Sequence, residues 1–139
     1  MSGTTVSGQP VHSDILIESV HLAQEYLNQT LLRLHQLPDL QKLKPLELNQ
    51  IATSLSLDVG TFVEVTTLIS RLIQKRLRAT ILGARESHVH LLFVMKGINQ
   101  AHQRGDLIAL EELIKYELKD NLTQWKIDLI PQAKRLLVP

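Results

Sequence analysis

Leu48–Val65, LNQIATSLSLDVGTFVEV, is the stretch whose reading decides the fold. Its apolar residues recur at helical spacing on both sides of a short polar segment, and the brief alternation at 62–65 lies inside that longer helical pattern. With Ala52 as the fifth position of a helix-turn-helix template, Ile51, Leu55, Leu57, Phe62 and Val65 fall where such a unit buries its contacts. Small Ser56 then falls at the turn. The spacing predicts two helices meeting at a tight polar turn, the second capped by the Asp58 carboxylate. Such a pair needs only mutual packing, so the pattern speaks to architecture before purpose.

The same periodicity extends both ways. Ser13 and Asp14 are candidate starts for a first helix whose Leu16, Val20, Ala23, Leu27, Leu31 and Leu34 share one face, ending before Pro38. Pro45 suits the first turn of a second helix with Leu48, Ile51, Ala52 and Leu55 inward. The third is expected over 59–82, with Phe62, Val65, Ile69, Leu72, Ile73 and Leu77 inward and Gly83 as its stop. Val63, Leu68 and Ile81 widen its apolar surface beyond one stripe. A fourth helix over 86–104, with Val89, Leu92, Met95, Ile98 and Ala101 inward, ends at Gly105. Asp106 caps a fifth, whose Leu107, Leu110, Ile114, Leu118, Leu122, Trp125 and Leu129 continue to Pro131. A short last turn at 135–138 follows. The expected fold is all-α: an antiparallel bundle of about five helices with a helix-turn-helix-like segment, after a flexible tail over 1–11 and within one domain over 12–139.

Composition narrows the function classes. At 139 residues and 44% hydrophobic content, the chain can bury a core without staples. There is no cysteine, which excludes disulfides, thiolate metal sites and a cysteine nucleophile. The start, MSGTTVSGQP, carries no basic region followed by an apolar core, and the strongly apolar run 91–95 is too short for a bilayer span. A cytoplasmic protein with no membrane partner is expected. Charge is uneven: 65–104 carries seven Lys/Arg against one acid, Glu86, while 1–64 carries three against seven. Arg71, Lys75, Arg76, Arg78 and Arg85 lie in or beside a stretch free of acids, a stripe suited to phosphate, to an acidic protein face, or to the acidic N-terminal third of the chain.

Met95–Leu110, MKGINQAHQRGDLIAL, resembles the end of a J-domain and the helical extension that follows it in some bacterial J-domain proteins. The matching residues are a Met, Ile98-Asn99, Ala101, His102 in an aromatic position, and Gly105-Asp106-Leu107 opening the next helix. Phe62-Val63-Glu64-Val65 and the basic 71–78 stretch are similar to the second J-domain helix. The resemblance spans 55–113. J-domains act through a His-Pro-Asp loop, and this chain has Arg78-Ala79-Thr80 near that place. Stimulation of a chaperone ATPase is therefore not implied; a basic helical hairpin serving as a docking surface is.

Other constellations point away from chemistry. His88 and His90, two apart on a helix, project about 200° from each other and cannot share one ion from one face; one of them is expected to be buried and hydrogen-bonded. No glycine-rich phosphate loop, Gly-x-Ser-x-Gly elbow or apolar-flanked carboxylate pair occurs, so neither enzyme activity, cofactor nor metal is expected. As a DNA reader, the segment would offer Gly60, Thr61, Glu64, Thr66 and Thr67 to base edges, a face without Arg, Lys, Asn or Gln. The consecutive apolar run 91–95 cannot all face one core. The sequence thus favours a non-enzymatic adaptor or chaperone-like module, dimeric, with Arg71, Lys75, Arg76 and Arg78 as charged contacts to a protein partner, an acidic one being what the basic stripe suits. Leu91, Phe93 and Val94 are its expected apolar anchors. The alternative is a helix-turn-helix transcriptional regulator that binds nucleic acid.

Overall fold

The computed structural model describes residues 8–138, with side chains from residue 15 onward. Among these residues there is no strand, and the chain forms four helical rods. α1 spans Gly8–His35, α2 Pro45–Leu77 and α3 Ala84–Arg104. The last rod, 107–137, is continuous: α4 Leu107–Glu112, a π-wound Leu113–Leu118, α5 Lys119–Gln124, a π-wound Trp125–Leu129 and α6 Ile130–Leu137. A single 3-10 turn, Leu40–Lys42, joins α1 to α2 and inserts the fully buried Leu40 under the end of the bundle.

Contact pairs fix the topology. Ser56 meets Asn99 and Thr66 meets His88, so α2 and α3 run in opposite directions. Gly97 abuts Leu113 and Ser87 bonds Asn121, so α3 and the last rod do too. α1 packs on α2 on one side and on the last rod on the other, closing an antiparallel bundle.

The expected turn inside 48–65 is absent: α2 is one helix of 33 residues, about 50 Å long. Leu55, Val59, Phe62, Thr66, Ile69 and Ile73 are buried at unbroken spacings of three and four, so the inward face never changes phase and nothing requires the chain to bend. Leu57, which a helix-turn-helix would bury, is exposed. Asp58 caps nothing; its carboxylate pairs with Arg33 of α1, which also donates to Ser54 Oγ (3.0 Å). Lys44 N–H donates to Glu47 Oε1 (2.9 Å) and Pro45 takes the first helical position, where its missing N–H has no partner to lose.

Three further boundaries differ from the sequence reading. α1 begins at Gly8 rather than at 13–14, so of the expected tail 1–11 the positions 8–11 are helical and 1–7 lie outside the described residues. α2 stops at Leu77, five residues before the expected end, with Arg78 in the left-handed region (φ 50) and its N–H on Gln74 O (3.1 Å). The last rod does not end at Pro131. Ile130 N–H reaches back to Trp125 O across the π-wound turn, and this wider register carries the chain past a proline that has no N–H to give. The caps around 105–106 match expectation: Gly105 (φ 68) ends α3, and Asp106 Oδ1 accepts from Ala109 N–H (3.1 Å).

Gly60 is exposed, helical, and surrounded by open space where a Cβ would go. Gly60→Ala is expected to raise unfolding free energy by about 0.5–1 kcal/mol, and Gly60→Pro to lower it by about 3 kcal/mol or more, in urea titrations. Tolerance of the proline would mean that a turn, not a helix, occupies this place.

Candidate functional site

The residues that organise the site sit beneath it. Trp125, 1% exposed, projects from the last rod between α2 and α3. Its ring meets Phe62 edge-on (centroids 5.3 Å, 87°) and lies beside the His88 imidazole (5.0 Å, 32°). His88 Nε2 is 2.7 Å from Thr66 Oγ1, whose hydroxyl is also 2.8 Å from Phe62 O. Two helices are thereby tied through one half-buried imidazole, and burial lowers the His88 pKa from its ordinary value of 6.5. One turn away, buried Asn121 Nδ2 donates to Ser87 O (3.1 Å) and lies 3.0 Å from His90 Nδ1. Both imidazoles have a hydrogen-bond partner, and His88 is the partly buried member of the pair, while His90 is exposed. The two imidazoles face different neighbours, and no group of three or more metal-binding side chains assembles among the described residues.

The loop 78–83 is held as firmly. Leu82 N–H donates to Gln132 Oε1 (2.8 Å), and Gln132 Nε2 donates to Leu82 O (3.0 Å) and Asp128 Oδ1 (3.1 Å). Ile81 turns into the core while Leu82 stays 73% exposed. A groove of about 790 Å³ runs from this loop between the C-terminal half of α2 and the first turns of α3. Arg71 and Lys75 line one wall, Val89 and Leu92 the other, with Arg85 at the start of α3 and His88 among the lining residues. Phe93, 72% exposed, continues the apolar wall beyond Arg85 and Val89.

Of the residues singled out from sequence, Arg71, Lys75, Arg76 and Arg78 are all exposed, and none of them, nor Arg85, makes an ion pair among the described residues. Phe93 is exposed as expected. Leu91 and Val94, expected at the surface as anchors, are 0% and 1% exposed and belong to the core, whereas Val89 and Leu92, expected inward, are exposed. The inward face of α3 runs through half-buried His88, in contact with Trp125 and Thr66, and then through Leu91, Val94, Met95 and Ile98, so it is displaced from the face that Val89 and Leu92 would define. Leu82 and Gln132 were missed as well; the one available signal was the apolar pair Ile81-Leu82 before Gly83.

Thr66, assigned to a base-contacting face under the DNA reading, is buried. No helix among the described residues is long and apolar enough to cross a membrane. Compared with known protein families, curated proteins and solved structures, the chain has no significant match.

Because the folded-state pKa of His88 lies below that of the unfolded chain, the unfolded state binds the proton first as pH falls. The contribution of His88 is full above pH 6.5 and declines as pH drops from 6.5 toward the lowered folded value. Melting temperatures measured from pH 7.5 to pH 5 should fall for the wild type and fall less for His88→Gln. Equal slopes would show that the imidazole is not desolvated.

Proposed function

We propose that this chain is a non-enzymatic protein-binding module, adaptor or chaperone-like in type, whose working surface is the α2–α3 groove and the loop that closes its end. One observation supports this above the others: Arg71 and Lys75, exposed cations that pair with no acid among the described residues, stand across a groove from exposed Val89 and Leu92, with Leu82 and Phe93 at its margins. Exposed apolar side chains bordered by charge are the composition of a recognition surface, apolar at its centre and polar at its rim. The rim charges favour an acidic partner through faster encounter and rejection of basic ones. The resemblance to a J-domain hairpin falls on these same two helices.

DNA recognition through 48–65 is not part of this reading, because that segment has no turn and Thr66 points inward. Beneath the groove His88 pairs with Thr66 and Ser87 with Asn121, which supports a structural role for these four side chains.

Affinity capture from the native lysate tests the proposal. Wild-type protein should retain a specific partner; Phe93→Ala should weaken retention about tenfold, about 1.4 kcal/mol, as expected for an aromatic anchor. Arg71→Glu with Lys75→Glu should abolish it at low salt. Identical retention by all three forms would contradict the assignment of this face.

A further inference from the structure

We infer that the groove is built for an acidic amphipathic helix, lying along α2 with carboxylates on Arg71 and Lys75 and apolar side chains on Val89 and Leu92. The inference rests on the docking reading above and adds the chemistry and shape of the occupant.

Shape follows from what the groove offers. The described residues contain no strand, so there is no sheet edge for an extended peptide to join. Phe93 is the one aromatic side chain exposed along these walls, which is too little for the aromatic-lined slots that hold polyproline segments. An apolar wall on one helix facing a charged wall on another is the arrangement that accepts an amphipathic helix. Arg71 and Lys75 are one helical turn apart, about 6 Å along the axis. Carboxylates at positions i and i+4 of a second helix aligned with α2 have that same spacing.

Sign follows from the charges. Arg71, Lys75 and Arg85 line the groove against a single acid, Glu86, and Arg76 and Arg78 extend the positive field to the end of the bundle. None of these cations is neutralised by another described residue. A basic helix would meet repulsion at every turn, whereas an acidic one supplies the missing partners. Two bonds from Gln132 hold the Leu82 backbone at the end of the groove, with the Leu82 side chain exposed at its lip.

The test is fluorescence anisotropy with the full chain and two labelled synthetic peptides of about 18 residues, long enough to be partly helical. Both carry Leu and Ala at helical spacing; one has Glu at its i, i+4 polar positions and the other Lys. The Glu peptide should bind, with affinity falling as salt rises, and the Lys peptide should not. Arg71→Gln with Lys75→Gln should weaken the Glu peptide about tenfold. Both positions are exposed, so the variant's melting curve should match the wild type. Equal binding of the two peptides, or no effect of the double variant, would overturn the inference. Light scattering that finds a wild-type dimer and a monomeric double variant would assign the groove to a second copy of the chain and overturn it too. If a lysate partner is retained through this face while the Glu peptide fails, the occupant is wrong and the docking reading stands; if neither binds, both fall.

Discussion

The packing of α2, α3 and the last rod around the groove centres on the burial of Trp125. An indole is the largest apolar body the chain can place between helices, and here it reaches α2 through Phe62 and α3 through His88 at once. The π-wound turn that begins at Trp125 belongs to the same arrangement, since it adjusts the last rod locally and lets it continue through Pro131 to the Gln132 contact with Leu82. One side chain thus sets the separation of α2 and α3, and its neighbours seven residues on fix the loop between them.

A constraint beneath a surface determines what the surface exposes. His88 contacts both Trp125 and Thr66, and the same phase of α3 places Leu91 and Val94 inward and leaves Val89, Leu92 and Phe93 outside. On the facing helix, the phase that buries Thr66, Ile69 and Ile73 turns Arg71 and Lys75 toward solvent. Neither wall is free to exchange its apolar or charged character with the other while the core stays packed. The surface proposed for docking is in this sense a by-product of core geometry that leaves its charges without internal partners.

The sequence carried the helix phases wherever one face was distinctly apolar. Leu16, Val20, Ala23, Leu27 and Leu34, and the series from Leu110 to Leu129, lie on the inward face that their spacing predicts, and Asp106 caps the helix it precedes. It misled where local and long-range terms compete. A polar stretch around Ser56 and Gly60 is compatible with a turn or with a helix that merely has a solvated face, and only the continuing burial of Val59 and Phe62 against other rods decides between them. In α3 the run 91–95 is apolar all round, so periodicity alone admits two phases, and only the packing of Leu91 and Val94 against the other rods distinguishes them. The basic half of the candidate site is therefore readable from charge alone, the apolar half only through Phe93, and the tie of Gln132 to Leu82 not at all, because it joins a side chain to backbone groups fifty residues away.

Trp125 is the chain's one tryptophan, which makes the account directly measurable. Its emission in the native protein should be blue-shifted and inaccessible to iodide, and on heating it should shift red in the same transition that abolishes helical circular dichroism. A native emission already red and freely quenched, or a tryptophan transition that separates from loss of helicity, would contradict the claim that this indole is the buried joint of α2, α3 and the last rod.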